Sequence, residues 1–528
     1  ESTLNRPVRI GIIGTGDEGN VLIGALNPDF VQVIAIADIR PYSIHRAFHG
    51  DIKNPLARPG LMKKYGWSTE SEARQHVKVY DEHYEELLND PNIEGVIVAL
   101  PLFLHAEATI KAMRKGKHVL CEKLMAHSVH ECKEMARVAN ELNMVLAIGH
   151  QRHYNFIYDN AVQAIKLGVI GQIHHIRAQW HKQKDDWKLN RPLPFAKNKK
   201  KKKPEDPDLQ MDADIKKYEK EARKLLSGLP KKYDAAKALR REEVVKKIRE
   251  LEAQFSDLGV DAAQYGYKDR IVLGHGDQKY ELSALEELIR WRLWKRTGGG
   301  LMAELGAHQL DAASIFLSAL RKDGKRMNPL SVTASGGRHL YEFDRDIDDH
   351  VYCIFEFPGA EYESNPNKKV VVTYSAINGN GFGGYGEVVM GTKGSIQILR
   401  EKDLGIVPAS GGKTTSVKVS QGEVSSYETG GAEVVEAKKG LPESRGYTEE
   451  IEHWAWCIRN RKTNGIPNIP RCHPKVALAD ACMALVANMA IEKQERIDFK
   501  PEWFDINSDE TPEGISPDIH RREYGQIT

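Results

Sequence analysis

The chain predicts an α/β fold: a doubly wound parallel sheet at the N-terminus, then an α+β domain with a mainly antiparallel open sheet, interrupted by an inserted charged helical hairpin. Three observations carry this expectation. Short apolar runs alternate with amphipathic helical patterns up to about residue 150, the rhythm of a parallel sheet wrapped by helices. A glycine-rich turn joins the first apolar run to the first helical pattern. Beyond residue 150 the apolar period switches to two, as in half-buried strands.

The first element is VRIGIIGTGDEG, Val8 to Gly19, an apolar strand running into G-x-G-x-x-G. Gly14 permits the tight strand-to-helix turn, Gly16 lets the backbone approach a pyrophosphate, and Gly19 allows the helix to pack close to the strand. With Thr15, Asp17 and Glu18 between them, these glycines form a loop that offers helix N–H groups to a phosphate. The second run, VQVIAIAD, closes on Asp38, at the spacing a dinucleotide site requires. Asp38 is suited to both hydroxyls of an adenine ribose, whereas a phosphorylated ribose meets its charge, so NAD is expected over NADP. Arg40, two residues on, weakens that preference because a guanidinium pairs well with a 2′-phosphate.

Later strands are expected at VKVY (77–80), EGVIVAL (94–100), HVLCEK (118–123) and MVLAIGH (144–150), with helices at HAEATIKAMRKG and VHECKEMARVANELN between them. Gly116 ends the first of these helices in a position glycine tolerates best. Ligands of such sheets lie beyond the carboxyl ends of the strands. The residues to watch are therefore Gly14 to Gly19, Asp38, Leu100 with Pro101, Glu122 with Lys123, and His150 to Arg152.

After residue 150 a helical run near IYDNAVQAIKLG leads into IHHIRAQWHK, and SVTASGGRHL, HVYCIFEF, KVVVTYSA, GEVVM and SIQILR alternate like further strands. Two helices, TEEIEHWAWCIRNR and KVALADACMALVANMAIEK, precede a polar tail. The expected division is a cofactor domain at 1–150, a substrate and oligomerisation domain at 151–500 carrying an insertion at about 190–285, and a tail at 501–528. The insertion opens on NKKKKK and continues through KKYEKEARKLL and REEVVKKIRELEAQF. Because both signs interleave along these helices, the lysine run is expected to be a solvated loop rather than a nucleic-acid contact. The insertion is expected to cap the site or to contact a sister subunit.

Composition fits this scheme. With 528 residues the chain exceeds what one core usually supports. A formal net charge of +2 argues against nucleic-acid binding as the main role. No run of about twenty apolar residues is evident, so no membrane span is expected. The six cysteines are scattered without a C-x-x-C pair, which speaks against zinc and disulfide scaffolds. His150 with His153, and His174 with His175, match no ligand spacing, and no metal is expected. The chain starts at Glu1; a cytoplasmic location is expected, with a periplasmic one left open by a trimmed start.

The stretch VIVALPLFLHAEATIKAMRKGKHVLCEKLMA, residues 96 to 126, resembles the sugar-oxidoreductase family of glucose–fructose oxidoreductase, inositol dehydrogenase and MocA (Gfo/Idh/MocA). In that family the fourth strand ends in a proline, a histidine follows, and a Glu-Lys-Pro motif closes the fifth strand beside the nicotinamide. Pro101, His105, Glu122 and Lys123 take those places, while Leu124 stands where the motif has its proline. GGGLMAELGAHQLD, 298 to 311, resembles the family's other half, a glycine pair followed by aspartate and, four residues later, histidine. Glu304 stands for the aspartate and His308 matches the histidine. Four residues place the two side chains on one helix face, where a carboxylate orients an imidazole and raises its basicity.

What the resemblance implies is an N-terminal Rossmann domain and an NAD-dependent oxidation of a secondary alcohol. His308, with a pKa near the working pH, is expected to take the hydroxyl proton, and Lys123 to stabilise the developing alkoxide. Glu304 completes the expected catalytic group. AIGHQRHYN, 147 to 155, resembles the family segment that lines the cofactor–substrate junction, which makes Gln151 a cofactor contact and Arg152 and Tyr154 substrate contacts. Trp180 and His181 are candidates for a sugar-binding border, and Trp291, Arg292 and Trp294 lead into the glycine run. The resemblance covers about 150 N-terminal residues well and about 200 more loosely, and the insertion has no counterpart in it. The expected substrate is a small carbohydrate, cyclitol or glycoside, and the expected assembly a homodimer or homotetramer. Two other readings use the same residues: an NAD-dependent glycoside hydrolase that oxidises the sugar transiently, and a non-catalytic sensor, for which Leu124 and Glu304 speak.

Overall fold

The structure, a computed structural model, describes residues 6–524 apart from 53, 184–219, 221–222, 225–226, 228–234, 275, 278, 322–325, 342–343, 410–414, 419–432 and 437–444. Strands β1 (Val8–Ile13), β2 (Val31–Ala37), β3 (Lys78–Tyr80), β4 (Gly95–Val98), β5 (His118–Glu122) and β6 (Leu146–Gly149) form one sheet in the order β3-β2-β1-β4-β5-β6. Every pairing in it is parallel. The chain winds outward from β1 through β2 to β3, then crosses back to β4 and winds the other way, so the sheet reverses between β1 and β4. A crevice opens at such a reversal because the crossover helices on its two sides diverge. The central strands are apolar on both faces, Val96, Ile97 and Val98 being buried, as a sheet covered by helices demands.

The covering of this sheet comes partly from far along the chain. The Tyr447–Arg459 helix packs Ile451, Trp454 and Ala455 into the core shared with β1, β2 and α-helical residues Leu22 and Phe48. A Cβ at Gly95 would lie 2.9 Å from the Trp454 ring, so the glycine makes room for the indole.

The second sheet has ten strands. After β7 (Ile173–Lys182) come a separate hairpin, β8 (Arg270–Leu273) and β9 (Lys279–Leu282), and then β10 (Ser331–Gly337), β11 (His350–Pro358), β12 (Lys369–Asn378), β13 (Tyr385–Gly391), β14 (Gly394–Leu399), β15 (Asp403–Pro408), β16 (Thr415–Lys418) and β17 (Glu433–Glu436). A short ribbon, β18 (Lys462–Thr463) with β19 (Ile466–Pro467), and the edge strand β20 (Ile497–Asp498) complete the set. The order is β17-β16-β15-β14-β13-β7-β12-β11-β10-β20. Most neighbours are antiparallel, but β7 runs parallel to β12, and β16 to β17. β7 arrives first from the N-terminal domain, and later hairpins settle on both of its sides. Along β12, Val370, Val372, Tyr374 and Ala376 face the core while their neighbours are partly exposed, the alternation expected of a sheet with one covered face.

That covered face receives the Ala307–Ser318 and Pro474–Lys493 helices, whose apolar residues join one continuous core with β4, β5, β7 and β12. The Pro474–Lys493 helix is the one described helix long and apolar enough to cross a membrane, with a mean hydropathy of 1.4, yet 67% of that window is buried within the fold. Its apolar character is accounted for by the core. Of the insertion, the Ala235–Ser256 helix is present as expected. The lysine run at 198–203 and most of the helical pattern at 216–226 lie outside the described residues. After the helix the insertion forms 3-10 turns and the β8–β9 hairpin, elements that the charge pattern did not announce.

The tail straps the Val129–Glu141 helix to the rest. Lys133, fully buried, donates from Nζ to the carbonyls of Glu502, Ser508 and Glu510 at 2.9, 2.9 and 2.6 Å. Arg521 and Tyr524 both reach Glu134 on the same helix. Replacing Lys133 by Met leaves three inward carbonyls without their charged donor, and charge-assisted hydrogen bonds are each worth about 1.5–3 kcal/mol. The Lys133→Met protein is expected to lose on the order of 3 kcal/mol of stability in denaturant titration, with proteolytic cleavage between residues 501 and 524 appearing well below the global transition.

Candidate active site

Beyond the carboxyl ends of β1, β2, β4 and β5 lies a cleft of about 640 Å³. One end is built by the glycine loop. Gly14 has φ +89°, and a Cβ on it would meet the Ala99 carbonyl oxygen at 2.4 Å. A Cβ on Gly19 would lie 2.2 Å from the Gly14 oxygen, so only glycine lets the helix approach the strand. Gly16 differs: nothing stands within 4 Å of its Cβ position, which leaves open space in front of the helix N-terminus. The Asp17–Ala25 helix has no side-chain cap, and its first N–H groups therefore remain available to an anionic ligand.

Asp38 closes this end. Its Oδ2 accepts from Thr15 N at 2.7 Å and Thr15 Oγ1 at 3.2 Å, and its Oδ1 accepts from Arg40 N at 2.9 Å. Oδ1, with one donor, keeps a lone pair for a ribose hydroxyl, whereas Oδ2 is already met by two. Five residues lining the cleft, Glu18, Glu122, Gln151, Trp180 and His308, each carry a buried polar atom without a protein partner. Buried polar groups are normally paired, and a polar ligand along the cleft supplies what these lack. The glycine cradle, Asp38 and the unpaired atoms together fit a dinucleotide.

The other end holds the expected reactive groups. Lys123 follows β5, and its Nζ donates to the Glu304 carbonyl at 2.7 Å while lying 4.0 Å from Glu304 Oε2. The Lys123–Leu124 peptide is cis, in the turn where the family motif has its proline. Glu304 Oε1 accepts from Arg292 Nε at 3.0 Å. Burial opposes ionisation of Glu304, but Lys123 and Arg292 prevail and hold its pKa at about 2. Glu122 and Glu18 go the other way. Burial, and for Glu122 the neighbouring Glu18, push both carboxyls up. Gly149 leaves room for Glu122, since a Cβ there would come within 2.8 Å of its Oε1.

His308 also lines the cleft. Its ring lies 5.6 Å from that of Trp180, which is stacked on Tyr385 at 4.4 Å. Two expectations about it are corrected. Glu304 does not orient the imidazole: the turn from Met302 to Gly306 is π-helical, its register is offset from an α-helix, and the carboxylate goes to Arg292 and Lys123 instead. Nor does the pKa sit near neutrality. Burial, then Lys123, Arg152 and His150, depress it well below the ordinary histidine value.

Of the residues singled out in the sequence, Gly14, Gly16, Asp17, Glu18, Asp38 and Arg40 meet at the glycine-loop end, and Leu100, Pro101, Glu122, Lys123, Gln151, Trp180, Glu304 and His308 line the remainder. Others do not line it. Thr15 positions Asp38, and Gly19 serves helix packing. His105 is buried, its ring nitrogens 2.8 Å from the Leu124 and Leu100 carbonyls, so it buttresses the turn behind the cleft. Arg152 is buried against Glu401 and Glu387, at 2.7 and 2.8 Å, and is no substrate contact. Tyr154 is turned away, its hydroxyl accepting from Arg471 N at 2.9 Å. His181 alternates with Trp180 on β7 and faces the opposite side of the sheet, bonded to Ser375 and the Phe382 carbonyl. Arg40 lines the cleft, but its guanidinium is engaged by Asp257 of the insertion at 2.8 Å.

Residues that sequence reasoning overlooked include Lys182, Tyr267, Arg445 and Tyr447. Lys182 was recoverable from the alternation of β7, two positions beyond Trp180. Gly446 carried a signal for its neighbours: its φ is +98°, and a Cβ would lie 2.1 Å from the Gln151 oxygen, a close backbone approach between the two halves of the site. His150, Asp311 and Asp480 place three potential ligand atoms within 4.8 Å of one another. Arg326 bridges both carboxylates there and supplies the positive charge a cation would bring.

The profile described as "Oxidoreductase family, NAD-binding Rossmann fold" matches residues 8–150, and that of the "GFO/IDH/MocA C-terminal domain" matches 270–397. The chain is similar to a 1,5-anhydro-D-fructose reductase of Ensifer adhaerens, 36% identical over 114 residues, which is 20% of this chain and 34% of the relative. It is also similar to a glycosyl hydrolase family 109 protein of Stenotrophomonas maltophilia, 29% identical over 174 residues, 33% of this chain and 36% of the relative. These matches span about a third of the relatives' length. An inositol dehydrogenase homologue from Azotobacter vinelandii, solved with NADH and myo-inositol, shares the fold with a TM-score of 0.55 at 14% identity, covering 94% of this chain and 99% of that one.

The glycines separate binding from folding. Gly16→Val meets open space and a permissive φ of −68°, so it is expected to leave the thermal midpoint in place while weakening NAD⁺ binding in calorimetry by about 100-fold, or ~2.7 kcal/mol. Gly19→Ala forces a methyl onto a backbone oxygen and is expected to cost about 3 kcal/mol of stability.

Proposed function

The chain belongs to the Gfo/Idh/MocA oxidoreductase family, and from that premise we propose that it oxidises a secondary hydroxyl of a sugar, cyclitol or glycoside, or reduces the matching ketone. The observation that carries this reading is that Lys123, His308 and Trp180 line the same cleft as the glycine loop and Asp38. The N-terminal domain is an NAD-binding Rossmann fold, and NAD bound along the cleft supplies a two-electron acceptor or donor. Glu122 and Gln151 would hold its reactive end, and Asp38 with the open helix N-terminus its adenosine and pyrophosphate.

The protein's own groups then divide the work. Trp180, stacked on Tyr385, offers an apolar face for the C–H surface of a ring. Lys123 Nζ, already leaning on the Glu304 carbonyl, donates to the substrate oxygen and stabilises the charge that develops there, an effect worth about 3 kcal/mol for one well-placed donor. His308, kept neutral by burial and by Lys123, accepts the hydroxyl proton on its imidazole. Glu304 and Arg292 hold Lys123 in place from the far wall.

A second reading is favoured by the family 109 glycosyl hydrolase among the relatives: transient oxidation of the sugar, elimination of the aglycone and return of the electrons. A panel of sugars and cyclitols assayed for NADH, beside aryl glycosides assayed for nitrophenol, separates the two. Steady NADH from a free polyol supports the dehydrogenase; nitrophenol without net NADH supports the hydrolase. A protein that binds NAD⁺ yet turns over nothing on either panel refutes both and leaves the sensor. Tyr352 and Ile354, exposed on the open face of β11, support self-association into a homodimer or homotetramer, which sedimentation measures.

Lys123→Ala is expected to lower kcat by about 100-fold or more with NAD⁺ binding retained, and His308→Ala by a similar factor. A base must be unprotonated to act, so oxidation is lost as pH falls through the His308 pKa. Because that pKa lies well below 6.5, kcat/KM for oxidation is expected to stay flat through pH 6.5; a break near 6.5 that persists in His308→Asn contradicts the assignment of His308 as the base.

A further inference from the structure

Arg40 occupies the position from which a guanidinium would meet a 2′-phosphate, yet in this protein it is already bound. Both Arg40 Nε and Nη2 donate to Asp257 Oδ2, at 3.0 and 2.8 Å, and Asp257 Oδ1 accepts from Tyr42 N at 3.0 Å. The Asp257 carboxylate is fully buried and the Arg40 side chain 13% exposed. Asp257 follows the Ala235–Ser256 helix, within the insertion that has no counterpart in the rest of the family resemblance. The same segment continues to Tyr265, Gly266 and Tyr267, which line the cleft, and Tyr267 packs edge-on against Phe103 at 5.4 Å.

We propose that Asp257 is a cofactor-specificity residue, which makes the protein selective for NAD by withholding Arg40 from a 2′-phosphate. The inference rests on the reading of the cleft as a dinucleotide site. Around the ribose position stand two carboxylates, Asp38 and Asp257, against the one guanidinium of Arg40. The excess negative charge accepts hydrogen bonds from a diol and repels a phosphate, which carries close to two negative charges itself. A guanidinium clamped by two hydrogen bonds to a buried carboxylate cannot turn to the phosphate without leaving that carboxylate uncompensated. The selectivity is therefore imposed by the insertion rather than by the strand end alone. Asp257→Asn keeps an oxygen for Tyr42 N but removes the charge that holds Arg40.

Calorimetric titration of the purified full chain with NAD⁺ and with NADP⁺ tests this through binding alone. In the wild type NAD⁺ is expected to bind at least about 100-fold more tightly. Asp257→Asn is expected to narrow that ratio by at least tenfold, mainly by tighter NADP⁺ binding, and Arg40→Ala added to it is expected to abolish the gain. Arg40→Ala alone leaves Asp257 without its cation and is expected to weaken NADP⁺ binding further, because the negative charge at the ribose rises. NAD⁺ binding that persists in Asp257→Asn with an unchanged ratio overturns the proposal. If Asp257→Asn does not fold, the charge-conserving double variant Asp257→Asn with Arg40→Ala decides: a loss of NADP⁺ affinity relative to NAD⁺ in it means that Arg40 was never withheld. A wild type that binds neither dinucleotide overturns the reading of the cleft itself, and the proposal with it.

Discussion

Lys123 reaches across the cleft to Glu304, and its charge acts, after burial, on Glu18, Glu122, Glu304 and His308. The ammonium comes from the end of β5, the carboxylate from a π turn in the second domain, and Arg292 binds the same carboxylate from a third side. With Glu304 ionised between two cations, the positive field of Lys123 still reaches His308 and, on top of burial, keeps the imidazole neutral. At Glu18 and Glu122 burial outweighs Lys123, and both carboxyls are shifted upward. A neutral base beside a fixed cation is the arrangement that removal of a hydroxyl proton needs.

The cleft is shared among parts of the chain that lie far apart in sequence. The glycine loop and Asp38 come from the first strands, Tyr267 from the insertion, Glu304 and His308 from the helix after it, and Tyr447 from a segment past the second sheet. The insertion is docked on the first domain: Asp257 pairs with Arg40, and Tyr267 joins a small core with Ile39 and Phe103. Its interleaved charges suit a solvated helix, but its last turn carries one carboxylate that is not solvated at all.

How much of this was legible follows from what each signal encodes. Gly14, Gly16, Asp38, Pro101, Glu122 and Lys123 lie at strand ends of a parallel sheet, where chain position alone dictates proximity to the crevice, and all of them line it. Arg152 and Tyr154 are expected from the resemblance of their whole segment and His181 from its place beside Trp180, and a segment or a neighbour does not say which side chains face the cleft where the backbone alternates. On β7 the sheet's period of two sends Trp180 into the cleft and His181 out of it. After β6 a 3-10 turn puts Gln151 in the cleft and buries Arg152 in the network of Glu387 and Glu401. The pairing of Glu304 with His308 assumed an α-helical register that a π turn does not keep. Arg40 lines the cleft, as its place after β2 suggests, but its partner Asp257 stands more than two hundred residues away, and no local pattern announces an ion pair across that distance.

The two departures from the family motif bear on whether the site works at all. Leu124 stands where a proline shapes the turn that presents the lysine, yet the turn is present, backed by His105, one of whose ring nitrogens lies 2.8 Å from the Leu124 carbonyl, and Lys123 lies in the cleft. Glu304 is longer than aspartate by one methylene, and the extra reach is used by Arg292 rather than lost. A chain that had abandoned turnover would be free to lose the lysine or the imidazole, since neither is needed to cradle a pyrophosphate or a ribose. Here both remain, and both line the cleft. Purely structural demands do not explain a buried imidazole whose Nδ1 lacks any partner and whose neighbours include an ammonium. An unpaired buried nitrogen costs about 1–3 kcal/mol, and in the reaction proposed above a substrate hydroxyl would complete the pairing.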